Sequence, residues 1–124
     1  FRQTMFAEFE LLTHEMGERN EPLTPMKLNQ LYLSLNNKYF GKEAVIDSYA
    51  EAEWSRIPHF YYNFYVFQYA TGISAALSLA EQIRKTGETE KYLKFLSSGG
   101  SNYPIDLLKE AGVDMCTAKP FENT

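Results

Sequence analysis

An all-α fold is predicted by three observations on the sequence. Apolar residues recur at spacings of three and four, proline and glycine punctuate the ends of those runs, and 44% hydrophobic content over 124 residues is enough for a core. From Phe1 to Arg19, Met5, Phe6, Phe9, Leu12 and Met16 share one helical face. Arg19-Asn20-Glu21-Pro22 breaks the pattern. Thr24 then stands as an N-cap with Pro25 in the first helical position, and a second helix carries Leu28, Leu31, Tyr32, Leu35 and Tyr39 as far as Gly41, the expected left-handed stop.

Residues 42–60 keep no period, and Pro58 disfavours helical geometry at Ile57, so a connection is expected, with a short helical turn near Ala50 to Trp54. From Tyr61 to Lys85 nearly every face is apolar or aromatic until Glu81, which predicts a long helix buried on most sides. Gly72 weakens it by about 1 kcal/mol relative to alanine, and Gly72, Ala75 and Ala76 present small residues to an approaching helix or ligand. Gly87 ends this helix. Thr89 can cap the next, whose apolar side is Tyr92, Leu93, Phe95 and Leu96, before the flexible Ser97-Ser98-Gly99-Gly100. Pro104 opens a short helix through Ile105, Leu107 and Leu108 that Gly112 stops, and the tail from Val113 to Thr124 is read as irregular.

The charge balance removes several functional classes. Twelve basic against sixteen acidic residues give a net charge of −4 and a pI near 5.2. Nucleic-acid binding needs clustered Lys and Arg, whereas Lys38, Lys42 and Arg56 are scattered. No run approaches the roughly 18 apolar residues of a membrane span, and the chain does not open as a signal peptide does. The lone Cys116 excludes an internal disulfide and suits a reducing compartment, so a soluble cytoplasmic protein is expected. The first residue is Phe1 rather than an initiator methionine, which suggests a piece of a longer polypeptide.

Two places could carry chemistry. His14-Glu15 has the start of a zinc-binding His-Glu-x-x-His helix, but Glu18 stands where the second histidine belongs, so His14 reads as a solvated helix residue. Cys116 lies in a polar tail far from either histidine and reads as inert. Glu8, Glu10, Glu15, Glu18 and Glu21 suit a solvated face, except that Glu8 falls among Met5, Phe6 and Phe9 and could pair with Arg2 or Arg56.

The second place is the segment from Ile57 to Gly72. On a helix, Tyr62, Tyr65 and Tyr69 would align their hydroxyls in one stripe with His59 at its N-terminal end, while Phe60, Phe64 and Phe67 lie elsewhere around it. The plain reading is a core helix whose hydroxyls find backbone partners. The sharper one is a row of donors that bind a peptide's carbonyls and stabilise an oxyanion. Phenols and an imidazole alone do not hydrolyse amides, so residues elsewhere must complete any reaction.

Ile57 to Gly72 resembles the C-terminal motif of oligoendopeptidase F, a zinc metallopeptidase family related to thimet oligopeptidase. Phe1 to Glu10, Leu96 to Ser101, and Tyr103-Pro104 with Leu107 to Asp114 are similar to the same family in the same order, so the likeness covers nearly the whole chain. The resemblance implies a mostly helical, two-lobed zincin peptidase around a deep channel for short peptides. It implies that residues 1–124 are the C-terminal helical part of its catalytic domain and form part of one channel wall. In the family, zinc is held by a His-Glu-x-x-His helix and a later glutamate, all expected upstream. The chain is therefore expected to bind no metal and to be inactive alone, its partners being an oligopeptide substrate and the upstream part of its own polypeptide. What carries over is His59, with Tyr65 and Tyr62 ranked ahead of Tyr69, as groups reaching the substrate from the wall opposite the metal. Phe67 is read as packing. The competing reading is a non-catalytic helical module holding a peptide or apolar ligand in the aromatic groove.

Overall fold

The computed structural model describes residues 1–122. It is all α-helical and 3₁₀-helical, with no strand among the described residues. Helices α1 (Arg2–Glu18), α2 (Pro25–Phe40), α3 (Phe67–Thr86), α4 (Glu90–Ser97), α5 (Pro104–Glu110) and α6 (Lys119–Glu122) follow one another, and two 3₁₀ segments, Ser48–Arg56 and Pro58–Tyr61, lie between α2 and α3. The chain divides into two compact units, Phe1–Tyr69 and Ala70–Thr124.

In the first unit, α1 ends through its own backbone. Asn20 adopts φ +57°, and the Glu21 and Asn20 N–H groups donate to Met16 O and Gly17 O, the bonding of a Schellman stop. Thr24 caps α2 as expected, its Oγ1 accepting from the Lys27 N–H at 3.4 Å. Gly41, at φ +75°, ends α2 with its N–H on Asn37 O. The helical turn expected near Ala50 to Trp54 is longer than predicted and of 3₁₀ type. Its Asp47 accepts from the Tyr49 N–H.

The core of this unit is Met5, Phe6, Phe9, Tyr32, Leu35, Ile57 and Val66, with Trp54 and Phe60 against it. Its rings meet at angles that suit their quadrupoles: Phe9 meets Tyr32 edge-on at 5.2 Å, and Phe6 meets Phe60 at 5.3 Å and 72°. Polar edges are satisfied as they enter. Trp54 Nε1–H donates to Asn29 Oδ1 at 2.8 Å, and the Tyr32 hydroxyl donates to Glu53 Oε2 at 3.0 Å. Burial and that contact push the Tyr32 phenol well above its ordinary value. Glu53 also receives Arg2 and Arg56, the two arginines considered for Glu8. Glu8 instead pairs with Lys38 at 2.6 Å and accepts from the Tyr39 hydroxyl at 2.7 Å, because α2 brings those side chains alongside α1.

The second unit packs Ala75, Leu79, Ala111 and Val113 with Tyr92, Phe95, Leu108 and Met115. Gly87 at φ +73° closes α3, and Gly112 at φ +97° follows α5, as the sequence predicts. Two expectations change here. Thr89 makes no side-chain cap bond, since it already lies in a helical conformation at φ −110°, ψ −12°. The tail is not wholly irregular: Lys119–Glu122 form a helical turn with Pro120 buried, while the part of that expectation covering 123 and 124 lies outside the described residues.

The largest departure concerns the helix expected from Tyr61 to Lys85. It begins only at Phe67. Residues 58–61 form a 3₁₀ turn, and Tyr62 to Tyr65 make a tight turn in which the Tyr65 N–H donates to Tyr62 O at 3.0 Å and Phe64 takes φ +54°. A helix cannot pass through a left-handed residue. Nor is α3 buried on most sides within this chain, where Ser74, Ala75 and Leu79 are its buried residues and Ile73 and Leu77 are exposed.

Candidate active site

The site residues read from the sequence do come together, by a different route from a helical stripe. His59 sits in the 3₁₀ turn behind Pro58, Tyr62 and Tyr65 are the ends of the tight turn, and Tyr69 lies in the first turn of α3. His59 Nε2 and the Tyr69 hydroxyl are 3.3 Å apart. The Tyr65 ring lies nearly parallel to His59, with centroids 6.1 Å apart and planes at 17°, and stands edge-on to Tyr69 at 5.7 Å. Tyr62 extends the row, 6.3 Å from Tyr65. The four rings form one continuous patch built on 11 consecutive positions.

The patch is reachable. Tyr62 is 64% exposed, Tyr65 43% and Tyr69 44%, and His59 is half-buried. This is unlike a core helix that hides its hydroxyls on the backbone; the neighbouring Tyr61, also exposed, donates its hydroxyl to Ser55 O at 2.9 Å. The Tyr65 hydroxyl, by hydrogen bonding, and then partial desolvation raise the Tyr69 phenol above its ordinary value. Tyr69 thus keeps its proton at neutral pH and remains a donor. The arrangement offers phenol donors and an imidazole side by side, which suits a carbonyl or a developing oxyanion.

What holds the tight turn was not foreseen. Glu10, read from the sequence as part of a solvated face, is 4% exposed, and its Oε1 accepts from the Phe64 N–H at 2.7 Å. His14, also read as solvated, packs against the Phe64 ring with centroids 4.4 Å apart and planes tilted by 36°. Val66 is fully buried. A single signal was available: Glu10 stands four residues after Phe6, on the same face of α1.

An open cleft of about 530 Å³ in the same unit is lined by Phe9, His14, Leu28, Trp54, Phe60 and Tyr61. Among the described residues, no group of three or more His, Cys, Asp or Glu side chains is placed to hold a metal ion. His14-Glu15 gains no third ligand, and Cys116 is exposed and free, its backbone N–H on Asp114 Oδ1. No described helix is long and apolar enough to cross a membrane.

Comparison with known proteins defines the family to which this helical chain belongs. The family model described as Peptidase family M3 matches residues 1–124, and the chain belongs to that family. It is 58% identical to oligopeptidase PepF of Bacillus subtilis over 98% of its own length and 18% of that protein's. It is 50% identical to an oligoendopeptidase F homolog of Borreliella burgdorferi over its whole length and 21% of that protein's. A crystal structure from Chlamydophila abortus assigned as a peptidase superposes with a TM-score of 0.88 at 46% identity, over 99% of this chain and 21% of that one. The chain therefore spans about a fifth of the length of the relatives it matches.

Proposed function

We propose that these residues are the C-terminal helical part of the catalytic domain of a zinc-dependent endopeptidase that hydrolyses short peptides, and that they form part of one wall of its substrate channel. The observation that carries this reading is the exposed patch of His59, Tyr62, Tyr65 and Tyr69, whose rings adjoin one another within one segment and in which His59 Nε2 meets the Tyr69 hydroxyl. His59, Tyr65 and Tyr62 donate to the scissile carbonyl as it becomes an oxyanion, while Tyr69 orients His59 and contacts the bound peptide. Family membership supports the peptidase assignment, and the relatives' names as oligopeptidase and oligoendopeptidase support oligopeptides as substrates.

Among the described residues no cluster of His, Cys, Asp or Glu is placed to hold zinc, and on this reading the remainder of the polypeptide holds the metal. When bound there, zinc supplies Lewis-acid polarisation and an activated water. The chain's own contribution is binding, orientation and charge stabilisation, and it is inactive by itself. Cytoplasmic action is part of the same reading, supported by a lone, exposed free cysteine.

Substituting His59→Ala in the full-length enzyme tests the proposal. We expect kcat/KM to fall on the order of 10²-fold, as when one oxyanion donor is removed, with zinc content by atomic absorption unchanged. Unaltered activity, or loss of the metal, contradicts the assignment.

A further inference from the structure

We propose that Glu10 of α1 is the positioning residue of the tyrosine turn, fixing Tyr62 and Tyr65 in their working geometry through the backbone of Phe64. This rests on the reading of those tyrosines as donors to the substrate. Glu10 is 4% exposed, and a carboxyl group is rarely placed there without a specific bond to make. Its bond goes to the Phe64 N–H, at 2.7 Å and 54 positions along the chain.

Phe64 is an unusual residue to find at φ +54°. A side chain bearing a Cβ pays about 1–2 kcal/mol for the left-handed region, and neither the size nor the apolarity of phenylalanine relieves it. Surrounding contacts must therefore hold the conformation. Glu10 holds the backbone, and His14, four residues further along the same face of α1, packs on the ring. Val66, fully buried, holds the far end of the segment. Tyr62 and Tyr65 stand on either side of the tethered residue, and both are exposed. One helix thus anchors a strained turn from the inside so that two donors stand still on the outside, where a displacement of about 1 Å can cost on the order of 10²-fold in rate.

The test uses the full-length enzyme. Glu10→Gln retains an oxygen that can accept from the Phe64 N–H, whereas Glu10→Leu removes it. We expect Glu10→Leu to lower kcat/KM about 10- to 100-fold and to raise hydrogen exchange at the Phe64 amide, and Glu10→Gln to restore most of both. Tyr65→Phe introduced into Glu10→Leu should add little to the loss, because the hydroxyl is already misplaced. Multiplying losses, or Glu10→Gln as damaging as Glu10→Leu, overturns the proposal. If Glu10→Leu does not fold, His14→Ala loosens the same turn from the surface. It should lower kcat/KM by a smaller factor with the same non-additivity toward Tyr65→Phe, and simple multiplication there also overturns the proposal. Should Tyr65→Phe and Tyr62→Phe both leave activity intact in the native background, the donor reading fails and this one with it. Exchange at Phe64 reads the tether separately.

Discussion

At the level of single residues, the ion pair and hydrogen bond at Glu8 give a two-sided pH dependence. Lys38 first, then the Tyr39 hydroxyl, hold the Glu8 carboxyl below its ordinary 4.5, while burial and the Glu8 contact push the Tyr39 phenol from 10 up to about 12. A lowered carboxyl stabilises the fold above its ordinary value and loses that contribution as pH falls through the folded one. A raised phenol does the reverse: its contribution is complete below pH 10 and disappears as pH rises toward about 12. Tyr39→Phe should therefore cost about 1 kcal/mol near neutrality and remove this part of the alkaline decline, read from unfolding free energies across pH. This partnership was hidden in the sequence. Glu8 is visibly among apolar neighbours, but only the register of α1 against α2 decides that Lys38, rather than Arg2 or Arg56, reaches it. The partner of Glu10 was hidden for the same reason, being a backbone amide 54 residues away.

Elements were legible where local chemistry determines them. Thr24-Pro25 starts α2, Pro104 starts α5, and Gly41, Gly87 and Gly112 stop helices through positive φ. The start of α3 was illegible because the residue that interrupts the expected helix is Phe64, which carries no turn signal, sits at φ +54° and is contacted by Glu10 and His14 of α1. The four candidate side chains nevertheless gather in one patch, because His59, Tyr62, Tyr65 and Tyr69 are close enough in sequence for either a helix or a turn to bring them together. Two glycines test the element-level account with opposite signs. Gly72 sits inside α3 with nothing within 4 Å of an added Cβ. In a peptide spanning Phe67–Thr86, Gly72→Ala should raise helicity by circular dichroism, in line with roughly 1 kcal/mol of propensity. At Gly112, φ is +97° and a Cβ would fall 2.7 Å from Gln82 Oε1, whose side-chain amide donates to Ala111 O. Gly112→Ala should cost about 1–3 kcal/mol in denaturant unfolding.

On the scale of the molecule, the chain exposes more apolar surface than a self-contained domain would leave to water. Met26, Val45, Ile73, Leu93, Leu96 and Ile105 are all at least half exposed, and α3 presents Ile73 and Leu77 outward. Scattered apolar residues are ordinary, but this many on a chain that spans about a fifth of its relatives fits a piece whose remaining neighbours lie in the rest of the polypeptide. Expressed alone, residues 1–124 should bind a hydrophobic dye and associate in sedimentation, whereas a dye-free, cooperatively unfolding monomer would favour a free-standing binding module. All-α character and family were readable from end to end, because periodicity and four ordered motifs extend along the whole sequence. The tight turn between Tyr62 and Tyr65 was not, because the contacts made to it come from α1, far away in sequence.

The claim that the aromatic patch stabilises the transition state, rather than merely holding substrate, is tested most directly by Tyr65→Phe in the full-length enzyme. The measurement compares the loss in kcat/KM with the loss in affinity for a tetrahedral phosphinic peptide analogue. We predict that both fall together, on the order of 10²-fold, with KM little changed, since a donor used only in the transition state lowers kcat and kcat/KM equally. A raised KM with unchanged kcat and undiminished analogue affinity would contradict the account.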